Sequence, residues 1–147
     1  MQERFETFTV LINRISRDIR KIKNQEMAAY HLRSIHASCL YYIYSLGSVT
    51  SAELCEHCEE DKATISRAVD YLETNGFLLR DAGAKRYKSP LLLTEKGRDT
   101  GKRIAEKIDG VLETISHALT EEERNEFYRS LSTISRSLEA IVQNSEE

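Results

Sequence analysis

Several residue types are scarce in this chain of 147 residues, and each scarcity excludes a class of protein. One proline and six glycines leave few positions that interrupt regular secondary structure, and tryptophan is absent. Apolar runs such as Leu91-Leu92-Leu93 are far too short to span a bilayer, which needs about 20 apolar residues. The N-terminal residues are charged and amphipathic, unlike a secretory signal peptide. We therefore expect a soluble, cytoplasmic protein with no membrane partner.

The motifs of catalysis are also missing. The sequence has no glycine-rich phosphate loop, no His-Glu-x-x-His helix and no nucleophile elbow. Its four histidines are scattered, so each is expected at the surface or in a hydrogen bond rather than at a metal. We therefore predict that the protein is not an enzyme and that it holds neither a cofactor nor a metal ion.

The three cysteines form an odd number without a secretory signal, which indicates a reducing compartment rather than a disulfide framework. Cys55 and Cys58 flank His57 in a C-x2-C arrangement, which is typical of one half of a zinc site. No second pair of ligands follows at a suitable spacing, and a free cysteine packs as a small apolar residue. Cys39 falls on the apolar stripe of a predicted helix. Core packing is therefore the favoured interpretation, with metal binding and redox sensing as alternatives.

Charge is distributed unevenly along the chain. The formal net charge is −3, from 21 basic and 24 acidic residues. Residues 62–103 alone carry +5, whereas the remaining 105 residues carry −8. A basic middle within an acidic chain is typical of an element that faces DNA on a soluble scaffold. Chance clustering on a solvated surface is the alternative that charge alone leaves open.

Hydrophobic periodicity predicts helices over most of the chain. The first helix carries apolar residues at steps of three and four and ends near Asn24, and a second spans about 31–46, where Gly47 stops it. Two long helices come last, at about 95–118 and after the capping box that begins at Thr120. A helix of 24 residues is about 36 Å long, so its apolar seam is longer than the surface that one small domain can pack against it. The long seams therefore predict a homodimer, and a monomer with its helices packed on its own domain is the alternative.

The pattern at the centre of the chain predicts a helix-turn-helix. Thr50 caps a short helix over residues 51–58, and Asp61 stands at the N-cap of a second helix that runs to about Asn75. One face of this second helix is apolar, and the other offers small polar and basic side chains, as in DNA-recognition helices. The residues that we predict to face double-stranded DNA from these two helices are Thr50, Ser51, Lys62, Ala63, Thr64, Ser66, Arg67 and Tyr71.

Two short strands, about 78–81 and 90–93, are predicted next, with a loop of small and basic residues between them. Lys85, Arg86 and Lys88 near its tip form a wing that can reach phosphates or a minor groove. The predicted fold class is mainly α, a winged helix-turn-helix with a small β-hairpin wing and long N- and C-terminal dimerisation helices. A protein–protein adaptor built on the same unit is the alternative function.

These motifs resemble the MarR (multiple antibiotic resistance regulator) family of winged-helix transcription factors over nearly the whole chain. Four segments and their order carry the resemblance, namely residues 51–54, 61–73, 76–78 and 91–97. Arg86 is the match to the wing arginine of that family, although the spacing from Asp81 differs from the family's Asp-x-Arg arrangement. We therefore expect a sequence-specific transcriptional regulator, a ligand-responsive repressor that acts as a homodimer on a palindromic operator.

The resemblance also implies a domain organisation and an effector site. One domain would cover the chain, with dimerisation helices at about 1–25 and 100–147 and a winged unit at about 48–99. In the family, small aromatic or phenolic effectors bind between the dimer helices and the winged unit. His36, Tyr41 and Tyr44 are the pocket candidates by this resemblance. The alternative is that they are helix-packing residues whose polar tips lie in water.

Overall fold

Six α-helices and one two-stranded sheet form the part of the chain that the computed structural model describes, residues 2–79 and 87–146. A single 3₁₀ turn, Ala28–Tyr30, connects the first two helices. The elements in chain order are α1 (Gln2–Met27), α2 (Ser34–Leu46), α3 (Ser51–Cys58), α4 (Lys62–Thr74), β1 (Leu78–Leu79), β2 (Leu92–Leu93), α5 (Glu95–Ser116) and α6 (Glu121–Ser145). The predicted class, mainly helical with a small hairpin, is confirmed.

Hydrogen-bonded capping boxes start α3 and α6 at the predicted residues. Thr50 Oγ1 accepts the Glu53 N–H at 3.2 Å, and the Glu53 carboxylate accepts the Thr50 N–H at 2.8 Å. Thr120 and Glu123 form the same pair of bonds at the same two distances. Each box satisfies two donors that a helix N-terminus would otherwise leave unpaired. The predicted starts of both helices are therefore confirmed.

Residues in the left-handed region mark several helix boundaries. Gly47 after α2 and Gly76 after α4 have φ of +77° and +81°, a region that residues with a Cβ rarely adopt. Both predicted stops are confirmed. The predicted start of the second helix at residue 31 is wrong, because His31 has φ of +57° and ends the 3₁₀ turn, so that α2 begins at Ser34. The first helix continues to Met27, past its predicted end.

The core of the first compact unit, Met1–Glu106, forms around α2, which packs against α1, α3 and α4. Gly101 lets α5 approach α2 closely, because a Cβ at this position would lie 2.8 Å from Cβ of Tyr44. A Cβ on Gly97 would collide with the Phe77 carbonyl. The largest fully buried side chains are Phe77, Met27, Leu40, Ile43, Leu54, Ile65, Leu72, Val49 and Cys39. This core holds α3 and α4 in place.

The second compact unit, Lys107–Glu147, contains the end of α5 and all of α6. None of the described residues of α6 is buried, although its sequence carries an apolar seam. Phe127 is 47% exposed, Leu138 is 50% exposed and Ile141 is 61% exposed. In the first unit α1 also exposes apolar residues, with Phe5 at 68% and Ile15 at 51%. Apolar surface of this extent is typical of interfaces.

The two strands are shorter than predicted. Leu78 pairs with Leu93 and Leu79 with Leu92 in antiparallel register, and Pro90 makes only an isolated bridge to Thr50. Residues 80 and 81, which we placed in the first strand, lie outside the described residues. The predicted winged unit at about 48–99 contains α3, α4 and both strands, and its assignment with the flanking helices to one domain stays a prediction. In the described part of the chain, no helix has the length and apolar character to cross a membrane.

Candidate nucleic-acid interface

A side-chain cap fixes the start of α4. Asp61 has extended backbone angles, and its Oδ1 accepts the Thr64 N–H at 2.7 Å, so it is the predicted N-cap. Hydrogen bonds from Thr64 hold the pKa of the Asp61 carboxyl below its ordinary value, and Arg67 adds to this effect. Glu59, with φ of +54°, turns the chain between α3 and α4. The Glu60 N–H donates to the Cys55 carbonyl at 3.1 Å and closes this turn.

The two faces of α4 differ sharply in chemistry. Ile65 and Leu72 are fully buried, and Ala68 and Val69 lie beside them in the core. The opposite face is exposed and contains Lys62, Ala63, Ser66 and Arg67, all of which we predicted as DNA contacts. The structure thus brings four of the predicted residues together on one accessible surface, which we call the α4 outer face.

Thr64 and Arg67 are linked at the edge of this face. Thr64 is half-buried, and its Oγ1 accepts a hydrogen bond from Nη2 of Arg67 at 3.4 Å. The bond is long, so it orients the guanidinium without using all of its five donors. Arg67 therefore retains the donors that a bidentate contact to a guanine requires.

Tyr87 connects the wing to the helix-turn-helix. The Lys62 ammonium lies 4.4 Å from the centroid of the Tyr87 ring, and the Tyr87 hydroxyl lies 3.7 Å from Sγ of Cys55. Lys62, Ser66 and Tyr87 line a cavity of about 210 Å³ together with Ser51. Sequence reasoning missed Tyr87, although it is the single aromatic residue within the basic loop.

The predicted wing contacts are only partly within the described structure. Lys88 is exposed, next to the half-buried Tyr87. Lys85 and Arg86 lie outside the described residues, so their assignment as wing contacts stays a prediction.

The start of α3 is more enclosed than the α4 outer face. Ser51 is only 7% exposed, and the Thr50 N–H is already bonded to the Glu53 carboxylate at 2.8 Å. A phosphate that approached the Thr50 amide would therefore compete with a carboxylate of the same sign. The roles of Thr50 and Ser51 at DNA stay predictions.

Tyr71 lies on α4 but points its ring to α2. The ring stacks on His36 with 4.6 Å between centroids, and its hydroxyl donates to the His31 carbonyl at 2.8 Å. His36 Nδ1 accepts the Arg33 N–H at 2.9 Å. Burial lowers the pKa of His36, and the nearby Arg33 charge lowers it further. Tyr71 and His36 thus form a direct link between α4 and α2, which the sequence did not indicate.

The three effector candidates have separate environments. His36 is buried against Tyr71, whereas Tyr41 meets Tyr42 edge to face at 5.2 Å. Tyr44 packs against the backbone of α5 at Gly101. None of the three lines the groove of about 400 Å³ between α1, α2 and the end of α3, whose wall includes Ile15, Ile19, Arg20, Lys23, Ser38 and Cys58. Their role in effector binding stays a prediction.

The three cysteines differ in burial. Cys39 is fully buried, as the sequence predicted, while Cys55 and Cys58 are half-buried. The proximity of Cys58, together with burial, raises the pKa of the Cys39 thiol. Within the described ranges, 2–79 and 87–146, no group of three or more histidine, cysteine or acidic residues is placed to hold a metal ion.

Comparison with known sequences points to one family. Residues 32–86 match the family model described as MarR family. The HTH-type transcriptional regulator YwoH of Bacillus subtilis is 28% identical over 85 residues, which are 58% of this chain and 62% of YwoH. The chain therefore spans less than two thirds of the length of this relative.

Comparison with solved structures shows the fold. The crystal structure of an S. aureus MepR–DNA complex superposes with a TM-score of 0.77 at 19% identity, over 89% of this chain and 97% of MepR. NMB1585, a MarR family regulator from Neisseria meningitidis, gives a TM-score of 0.79 at 17% identity, over 97% and 98% of the two chains. The winged-helix architecture predicted from the sequence is therefore confirmed.

Proposed function

We propose that this chain is a member of the MarR family and a transcriptional regulator that binds double-stranded DNA through the α4 outer face. Proteins of this family are transcription regulators rather than enzymes. The observation that carries the proposal is the division of α4 into a face buried in the core and an exposed face of small, polar and basic residues. Such a helix can enter a major groove without exposing apolar surface.

The roles within the α4 outer face follow from side-chain chemistry. Arg67 has the planar set of donors that matches O6 and N7 of guanine, and Ser66 beside it can bond to a base edge. Lys62, at the start of the helix, is a point charge suited to a phosphate. Lys88, next to Tyr87, is a second positive charge that can contact the DNA backbone beside the site of α4. MepR, which shares this fold, has been crystallised on DNA.

The regulator acts as a homodimer on a palindromic operator. The exposed apolar residues of α1 and α6 support this assembly, because a second copy offers the same apolar surface in return. Two copies of α4 related by a two-fold axis would meet successive major grooves about 34 Å apart. Operator half-sites separated by one helical turn are therefore expected.

The regulator is a repressor that a small aromatic or phenolic molecule releases from DNA. The stack between His36 and Tyr71 supports this part of the proposal, because it joins α2, which carries the effector candidates, to the DNA-facing helix. A ligand that moved the His36 ring would remove the stacking contact that holds the Tyr71 ring of α4. Tyr41 and Tyr44, on the same helix as His36, are the further pocket residues that we propose.

Substitution of Arg67 tests the proposed function. Arg67→Ala should weaken binding to a selected operator by about 1–3 kcal/mol, roughly 5- to 150-fold, and relax the preference at one base pair. The affinity is measured by fluorescence anisotropy at fixed salt, on duplexes selected from genomic fragments. Arg136→Ala, which removes the same charge from an exposed site on α6, is the matched control and should leave the affinity unchanged.

Two results would count against this assignment. Equal affinities of Arg67→Ala and the wild type would remove Arg67 from the base contacts. A wild-type protein that binds no duplex, or whose affinity is insensitive to salt, would contradict DNA binding itself, because phosphate contacts release counterions. The protein–protein adaptor predicts that second result.

A further inference from the structure

The segment that leads into β2 is held at two points beside α3. The Leu91 N–H donates to the Val49 carbonyl at 2.8 Å, shortly before α3 begins. Four residues earlier in the chain, the half-buried Tyr87 places its hydroxyl 3.7 Å from Sγ of Cys55, a contact in which either group can donate. The Tyr87 ring is therefore oriented at its hydroxyl end by α3, which leaves a face of the ring available to the neighbouring helix.

The residue that meets this face is Lys62, the first residue of α4. Its ammonium lies 4.4 Å from the centroid of the Tyr87 ring, well within the roughly 6 Å over which a cation is attracted to an aromatic face. The contact matters at this position because the start of a helix carries partial positive charge, which repels a cation in the first turn. The ring offsets this repulsion and restricts a side chain that otherwise samples many rotamers.

Lys62 belongs to the α4 outer face, on the same exposed surface as Ser66 and Arg67. An ammonium has three N–H donors, and a ring that lies on one side of it leaves donors on the other side for a phosphate. A lysine that is already held in place loses less side-chain entropy when it binds than a freely moving one does. The Tyr87 ring therefore favours the phosphate contact without needing to touch DNA itself.

We propose that Tyr87 is a positioning residue for DNA binding, whose ring holds the Lys62 ammonium in place for a phosphate of the DNA backbone. The proposal rests on the proposed function of the α4 outer face, and it adds an uncharged residue from outside the helix-turn-helix. The group recognised is the phosphodiester, so the contribution should be the same for every operator sequence.

Tyr87 also has a packing role that the test must separate from positioning. With Ser51, Ser66 and Leu91 it lines the cavity of about 210 Å³ between α4 and the segment before β2. Loss of the ring would enlarge this cavity and lower the stability of the fold. Packing alone, however, gives no reason for the effect of Tyr87 on DNA affinity to depend on the charge of Lys62.

A double-mutant cycle on the full-length chain measures this dependence. Operator affinity is determined by fluorescence anisotropy at several salt concentrations. Tyr87→Leu should weaken binding by about two- to fivefold per half-site, the loss expected for a cation–π contact at an exposed site. Lys62→Met should lower the salt slope by about one per half-site, since one phosphate contact is lost, and in this background Tyr87→Leu should have no further effect.

Two further variants serve as controls in the cycle. Tyr87→Phe keeps the ring and removes only the hydroxyl, so it should restore most of the affinity that Tyr87→Leu loses. Arg136→Ala removes an exposed charge from α6, and in this background Tyr87→Leu should keep its full effect.

Nuclear magnetic resonance of the free protein tests the placement of Lys62 without DNA. The ring current of Tyr87 should shift the protons on Cε of Lys62 upfield in the wild type, and Tyr87→Leu should remove this shift. An unshifted signal in the wild type would contradict the contact.

Several binding results would overturn the proposal. Equal affinities of Tyr87→Leu and the wild type would remove Tyr87 from DNA binding, and an equal loss in the wild-type and Lys62→Met backgrounds would reduce its role to packing. A Tyr87→Phe protein that binds as weakly as Tyr87→Leu would assign the effect to the hydroxyl and Cys55. A wild type that binds no duplex would be a failure of the proposed function, and the resonance experiment would then decide the placement of Lys62 by itself.

Discussion

Helices α4 and α6 are both amphipathic, yet they present opposite surfaces to their surroundings. In α4 the apolar stripe is buried, with Ile65 and Leu72 at 0% exposure, and polar residues remain outside. In α6 no described residue is buried, and Leu138 and Ile141 are at least half exposed. Two stripes of similar pattern therefore have different uses. The apolar stripe of α4 is buried within its own chain, so its exposed face suits a polar partner. The apolar stripe of α6 is exposed, which suits an apolar one.

The largest effect is expected from a charge placed in the α6 stripe. Leu138→Glu should abolish the dimer, because burying an unpaired carboxylate in an apolar interface is strongly unfavourable. Sedimentation should then give a particle of 16.9 kDa. Operator affinity should fall by roughly 100-fold or more, since each monomer binds only one half-site.

Ser132→Glu is the matched control for this substitution. It adds the same charge to α6 on the side away from the apolar stripe, so the dimer and the operator affinity should persist. Equal disruption by both variants would indicate an effect of charge on the helix rather than on an interface. A dimeric Leu138→Glu protein would contradict the assignment of α6 to the interface.

Leucine-to-alanine changes in the two helices compare the stripes directly. Leu72→Ala leaves a cavity in the core of one chain and should lower the free energy of unfolding by about 2–5 kcal/mol. Leu138→Ala should instead lower the stability of the assembly, with a midpoint of denaturation that depends on protein concentration. Urea denaturation at two protein concentrations distinguishes these behaviours. A concentration-independent loss at Leu138 would show that α6 is stabilised within its own chain.

The smallest effect is expected on the pH dependence of stability, and it should come from the stack of His36 on Tyr71, which links α2 to α4. The pKa of His36 is below its ordinary value of 6.5 in the folded protein, so the unfolded chain binds more protons near and below that pH. The stability from His36 should be fully present above pH 6.5 and lost as the pH falls through the folded pKa. Denaturation curves between pH 5 and 7.5 should show a shallower pH dependence for His36→Gln than for the wild type.

His117→Gln is the control for the pH prediction. His117 is an exposed residue of the second unit, 3.9 Å from a Glu113 oxygen, and it is not part of the stack between His36 and Tyr71. This variant should follow the pH dependence of the wild type. If His36→Gln also follows the wild type, the stack with Tyr71 does not depend on a neutral imidazole.

Local signals explain why so much of the fold could be predicted. Thr50 and Glu53 are three residues apart, as are Asp61 and Thr64, so their capping bonds can be recognised within one helical turn of sequence. The start of α2 could not be predicted in this way. It depends on the left-handed conformation of His31, whose carbonyl accepts the hydroxyl of Tyr71, a residue 40 positions away.

The residues on the exposed face of α4 could be predicted from the sequence, whereas the contacts that Tyr71 and Tyr87 make with distant segments could not. Helical periodicity alone assigns Lys62, Ser66 and Arg67 to the face opposite Ile65 and Leu72, and the structure agrees. The contacts of Tyr87 with Lys62 and Cys55 join segments that are distant in sequence. Tyr71 was predicted on the outer face, because periodicity does not show that a long side chain can bend back to a neighbouring helix.

The sequence by itself determined the order of the helices, the caps of α3, α4 and α6, the stops after α2 and α4, the basic centre of the chain and the polar face of α4, because each depends on residues within a turn or two of one another. Only the tertiary structure decided that His36 stacks on Tyr71 and that Tyr87 contacts Lys62 and Cys55. Those contacts depend on how α2, α3 and α4 pack together and on where Tyr87 lies against them. Packing of this kind is a property of the whole core, since it is set by many small contacts that no local pattern specifies.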